Sequence, residues 1–241
     1  MNITEETNEI IKQALRYHAA ELNNIGALLH DSNRNEEAME LYKYSGMVMK
    51  VSLKDDYTTE EQTNAKRLII ACQARLLKSK QTYSQNVDND KNSHSKNDSL
   101  NVEQYEPTNF AQAIQLPYEV CQKGNHIIST VLLCNMALIK YKIGELSKSL
   151  YLFQMALPMI LEAGANAKYE HAVCLVIGHS IGKIYFELGN IDEAVKVLID
   201  AHEFGSHMLG EHALVVWILK TIGDTLFSRG FFTDAYLVFE E

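Results

Sequence analysis

Large apolar residues recur along this chain at steps of three and four, the spacing that places them on one face of an α-helix. Leu219, Ile222 and Leu226 form one such row. Phe239 extends the same apolar stripe from a second helix. Upstream, Thr58-Thr59-Glu60-Glu61 reads as a capping box, and the helix it opens carries Ala65, Leu68, Ile69, Cys72 and Leu76 on one face.

The stripes belong to a repeat. Asn24-Ile25-Gly26, Asn135-Met136-Ala137, Ser180-Ile181-Gly182 and Thr221-Ile222-Gly223 each place a large apolar residue between a polar and a small one. A further small residue follows at Ala38, Ser149, Ala194 and Ala235, and then a large one at Tyr42, Phe153, Leu198 and Phe239. Between the small residues stands Asn33, Gly144, Gly189 or Gly230, the residue types that best tolerate positive φ. The spacing predicts two antiparallel helices joined by a tight turn. The two small residues are the expected point of contact, with Ala194 facing Gly182. A hairpin with one apolar face needs a neighbour to cover it, so such units are expected to stack into an all-α solenoid of about five hairpins.

This pattern resembles the tetratricopeptide repeat, most closely in Ile181-Gly182, Tyr185, Gly189, Ala194, Leu198 and Ala201. Ala137, Gly182 and Gly223 recur at intervals of 45 and 41 residues, longer than the roughly 34 of the standard repeat. Longer helices, as in kinesin-light-chain-like members, account for the excess. His18 to Asn24, together with Leu132 to Leu138, is also similar to tetratricopeptide-like proteins of diatoms, a resemblance that brings no activity with it. The family implies a right-handed superhelix of one domain, 1–241, whose first helices line a concave groove that binds protein or peptide.

The interval from Gly26 to Ala137 exceeds one repeat and has to hold a second, degenerate one. From Ser84 to Tyr105 the chain is dominated by Asn, Ser, Asp and Lys, too polar to offset the entropy of ordering. A disordered insertion over 84–106 is therefore expected, and it is the expected site of first proteolysis. Pro107 to Val120 holds two prolines and the run Ala113-Ile114-Gln115-Leu116, which predicts an extended segment packing across the helices.

Composition narrows the function. A net charge of −9 argues against a nucleic-acid partner, which needs clustered Lys and Arg. No apolar run reaches the roughly 20 residues of a membrane span, and the acidic start is unlike a signal peptide, so no membrane is implied and the cytosol or nucleus is the expected compartment. Cys72, Cys121, Cys134 and Cys174 form no CxxC pair and are expected to be reduced core residues. His202-Glu203 and His207 lack metalloprotease spacing, because five residues turn the two imidazoles about 140° apart on a helix. No cofactor motif, phosphate loop or catalytic pair is present, so no enzymatic activity is expected, and an enzyme remains an alternative only through a site assembled from residues distant in sequence.

In the family the polar residue before the large-apolar, small pair points into the groove. Here those positions are Asn24, Asn135, Ser180 and Thr221, and Asn23, His179, Lys183, Trp217, Lys220 and Asp224 are their expected neighbours on the lining. An Asn there donates and accepts at once, which suits it to a peptide backbone. The competing reading is that Asn24 and Asn135 only bond between adjacent helices. The carboxylate clamp of chaperone-binding members is not matched, since its positions fall on Asn23 and Ala27. Self-association through the C-terminal hairpin, whose last helix is Phe232 to Glu241, is the alternative to a peptide-binding role.

Overall fold

The computed structural model describes residues 3–89, 113–117, 125–162 and 168–240, and among them the ordered elements are all α-helices. They are α1 (Ile3–Asp31), α2 (Asn35–Ser52), α3 (Thr59–Asn89), α4 (Asn125–Lys142), α5 (Leu146–Glu162), α6 (Lys168–Glu187), α7 (Ile191–Leu209), α8 (Ala213–Ser228) and α9 (Phe232–Glu240). The chain divides into two compact units, the first of Met1–Ser99 with Ala113–Asn135 and the second of Leu100–Gln112 with Met136–Glu241.

Four turns share one geometry, and the sequence says why. Asn33 (φ 59°), Gly144 (78°), Gly189 (83°) and Gly230 (83°) take the left-handed conformation. The amide of the next residue then reaches back into the last helical turn: Arg34 to Leu29 O at 2.8 Å, Glu145 to Lys140 O at 2.9 Å, Asn190 to Tyr185 O at 2.9 Å and Phe231 to Leu226 O at 3.1 Å. These bonds satisfy carbonyls that the helix end leaves open. The second helix starts at once, with Ala38, Ser149, Ala194 and Ala235 bonded to the carbonyls of Arg34, Glu145, Asn190 and Phe231. The two helices are closest there, so the small residue of the first turn is fully or almost fully buried in every copy.

The contact farther from the turn differs from expectation. A Cβ added at Gly182 would lie 2.5 Å from Leu198 Cγ, and the nearest atoms are all those of Leu198, not Ala194. Gly26 meets Tyr42 at 2.6 Å in the same way, and Gly223 meets Phe239. The glycine is thus a socket for the large residue of the partner helix. In the second copy the expected small pair does meet, Ser149 Oγ donating to Ala137 O at 2.8 Å, and small meets small again at Gly178 with Ala201. Size alternation of this kind lets two helices interdigitate at interior packing density.

In the first unit α1 packs on α2, where Ser45 Oγ donates to Ala19 O at 2.6 Å, and on α3, where Gln62 Nε2 donates to Asn8 Oδ1 at 2.8 Å. The capping box forms as expected: Glu61 accepts from the Thr58 amide at 2.9 Å while its own amide donates to Thr58 Oγ1 at 3.3 Å. α3 runs to Asn89, six residues into the stretch expected to lack order. Once a helix is nucleated each added residue costs little, and Gln and Asn do not break it as Pro would. The remainder of that expected insertion, 90–106, lies outside the described residues. Cys72, Cys134 and Cys174 are buried free thiols.

Candidate functional site

Asn23 and Asn24 sit on α1 and Asn135 on α4, and in the first unit all three converge on residues 113–117. Asn135 accepts the Ile114 amide on Oδ1 at 2.7 Å and donates from Nδ2 to the Ile114 carbonyl at 2.8 Å. Asn24 treats Leu116 in the same way, accepting its amide at 2.7 Å and donating to its carbonyl at 2.9 Å. A residue offers both backbone groups to one side only when the chain is extended, so alternate residues face the helices here. Asn23 ties the pair together: it accepts from Asn135 Nδ2 at 3.0 Å and donates to Ile114 O at 3.3 Å and to Asn24 Oδ1 at 3.3 Å.

The expectation that these amides bind peptide backbone and the competing one that they bond within the fold therefore meet in one arrangement: they bind backbone, and it is the chain's own. Asn23 and Asn135 are fully buried beneath it. One participant was missed. Asp31 Oδ1 accepts the Ala113 amide at 3.0 Å, and its place at the end of α1, outside the repeated signature, gave no signal for it.

The second unit gathers the rest of the expected lining. His179, on α6, is only 3% exposed. Its ring stacks on Trp217 at 4.2 Å between centroids. Its Nε2 is 3.0 Å from Thr221 Oγ1, and that hydroxyl donates to Trp217 O at 2.9 Å. Burial, helped by the charge of Lys183, holds the His179 pKa down at about 3, so the ring is neutral.

Around this stack lie charged groups. Lys220 pairs with Asp224 at 2.6 Å, one turn apart and exposed. Burial lowers the Lys183 ammonium below its ordinary range, with Glu187 opposing the shift and Lys220 adding to it. Burial raises the pKa of the Tyr141 hydroxyl, and its hydrogen bond to Glu187 adds to the rise. Trp217, Thr221, Lys183, Lys220 and Asp224 are thus neighbours, half-buried or exposed.

Neither set coincides with two concavities elsewhere on the described residues. One, of about 460 Å³, lies between α7 and the α8–α9 turn and is lined by Val195, Ile199, Leu226 and Phe231. The other, of about 430 Å³, lies between the α1–α2 hairpin and α3, with Arg34, Glu37, Arg75 and Lys78 on its walls. Among the described residues no three His, Cys, Asp or Glu side chains are grouped to hold a metal, and no helix is long and apolar enough to cross a membrane.

Among the described residues the repeated hairpins, with one turn geometry in four copies and a glycine socket in three, form an all-helical repeat fold of the tetratricopeptide-like kind. Among solved structures the chain is similar to a protein from Podospora anserina described as kinesin-light-chain-like with nearly identical tetratricopeptide-like repeats, at 15% identity, a TM-score of 0.42, and coverage of 92% of this chain and 93% of that one. No family model and no curated protein matches the chain.

Proposed function

We propose that this chain is a protein-interaction module that holds an extended stretch of polypeptide against the first helices of its hairpins. The observation that supports this reading most is the pairing of Asn24 and Asn135 with both backbone groups of Leu116 and Ile114. Such pairing reads a peptide's backbone and its extension, not its side-chain chemistry. In the second unit the half-buried Trp217, placed by the neutral His179 beneath it, offers an aromatic surface beside Lys183, Thr221 and the Lys220–Asp224 pair. Aromatic surface with polar groups at its edge is the usual make-up of a binding hot spot.

The test is a peptide library displayed on phage and panned against the full chain, with selected peptides titrated in solution. Saturable binding that shifts Trp217 emission, and that weakens several-fold on Thr221→Ala or Asp224→Ala, is the expected result. Failure of every selected peptide to bind saturably would sink the reading.

A second reading has its own observation. Phe227, Phe231, Phe232, Tyr236 and Leu237 on the α8–α9 hairpin are each more than half exposed, an apolar patch of the kind that joins protein surfaces. Self-association through that hairpin predicts a concentration-dependent mass in light scattering.

A further inference from the structure

We infer that the first unit's backbone-binding face has a defined ligand class, an uncharged extended segment with branched aliphatic side chains two residues apart, and that residues 113–117 occupy it as a tethered competitor. The inference rests on the proposed peptide-binding role and gives that role its ligand chemistry and its regulation.

The specificity follows from what is paired and what is buried. Ile114 and Leu116 have their amide and carbonyl bonded by one carboxamide each, a cyclic two-bond contact like that between paired residues of an antiparallel sheet. Backbone groups are common to all peptides, so these four bonds select conformation only. Selection among sequences falls to the side chains: Ala113, Ile114 and Leu116 are 2%, 2% and 3% exposed, while Gln115 and Pro117 stand half out. Apolar enclosures two residues apart accept Ile, Leu or Val and reject a charge, because an unpaired charge there would be desolvated without compensation. The amides beneath are equally exacting. Asn23 and Asn135 are fully buried, and their bonds to Ile114 would be lost if the face stood empty and dry. An occupant of this type is therefore required, and the resident one is supplied in cis.

A tethered occupant competes at an effective concentration on the order of millimolar. A partner segment of the same class consequently binds the intact chain with its affinity reduced by the fraction of time the face is vacant. Any event that draws residues 113–117 away raises that affinity without touching the face itself.

The probe is the synthetic heptapeptide Gln-Ala-Ile-Gln-Leu-Pro-Tyr, the sequence of residues 112–118 with a fluorescent label, read by anisotropy against the full chain. Ile114→Ser with Leu116→Ser in the protein removes both side-chain anchors of the resident segment and leaves Asn23, Asn24 and Asn135 in place. The expected result is at least ten-fold tighter binding by this variant than by the intact chain, reduced about three- to ten-fold when Asn24→Ala is added. A peptide with Ser at its Ile and Leu should bind neither. Equal or absent binding by the variant, with its helical circular dichroism retained, would overturn the inference.

Hydrogen exchange on the intact chain provides the measurement that does not depend on the variant folding. A displaceable segment requires the Ile114 and Leu116 amides to exchange through local opening, at least a hundred-fold faster than the slowest amides of α1. Exchange of all of them at one rate would make the segment an inseparable part of the core, and the inference would fall. Library peptides that bind the intact chain and shift Trp217 emission, alongside a silent heptapeptide, would leave the general interaction role standing and remove only this one. The reverse pattern would place the activity in the first unit alone.

Discussion

At the scale of the residue, Gly182 shows how a repeated small position earns its place. The space a Cβ would need is filled by Leu198 Cγ and Cδ2, at 2.5 and 2.7 Å, and Leu198 is fully buried with nowhere to go. Gly182→Ala improves intrinsic helix propensity by about 1 kcal/mol, yet it should lower stability by roughly 1–3 kcal/mol, because overpacking outweighs propensity in a closed contact. A double-mutant cycle checks the partner: in a Leu198→Ala background the Gly182→Ala penalty should shrink or change sign. Strict additivity would mean that another residue fills the socket. The sequence marked this glycine as special and mispaired it, since periodicity locates a close contact along each helix but not the rotation that decides which side chain enters it.

His179 makes the second residue-scale prediction. Its pKa is held at about 3 in the folded chain against about 6.5 when unfolded. Between those values the unfolded chain takes up a proton that the folded chain does not, so this group makes stability rise with pH across that window and fall as pH drops below about 6.5. The slope is at most about 1.4 kcal/mol per pH unit for one proton. Urea unfolding at pH 7.5, 6.5 and 5.5 should show the intact chain losing stability faster on acidification than His179→Phe, with the two parallel above pH 7. Parallel slopes throughout would show that the ring is not kept neutral by the fold. Its position on the repeat suggested a lining residue, and the stack on Trp217, from a helix some forty residues away, is a contact that no local pattern carries.

At the scale of the element, the turns and caps were the most legible features because their causes are local. Asn33 and the glycines at 144, 189 and 230 sit where a left-handed residue closes each helix, and Thr58 with Glu61 opens α3. The segment 113–117 was legible only in part. Its proline and its alternation of Ile and Leu about Gln115 pointed to extended chain lying across helices, yet nothing in them said that Asn24 and Asn135 would be its hosts. Long-range pairing across some ninety residues of sequence is a property of the folded chain alone. Asn135→Ala leaves both backbone groups of Ile114 with less than their full complement of bonds in a buried setting. It should cost roughly 1–3 kcal/mol, and the Ile114 amide should lose its protection before any amide of α1 does. Native-state hydrogen exchange resolved by residue reads both effects, and a variant as stable as the parent would show that water replaces the amide without loss.

At the scale of the whole molecule, chemistry-bearing side chains are spread over two units, and the second also carries the apolar patch on α8–α9. Phe232 and Leu237 are 61% and 60% exposed, so changing them to Lys removes little buried surface and should alter stability by no more than about 0.5 kcal/mol. Their effect on association is a different matter. A contact between copies made through this hairpin would bury those two side chains, and a pair of lysines there would desolvate two charges in each copy and set like charges against each other. Phe232→Lys with Leu237→Lys should therefore leave the thermal melt nearly unchanged. If the hairpin joins copies, the variant should scatter light as a monomer at concentrations where the parent is heavier; if the chain acts only as a receptor for peptides, parent and variant should have one mass and one peptide affinity. A parent that is monomeric at every accessible concentration would retire the self-association reading and leave the patch without a part in assembly.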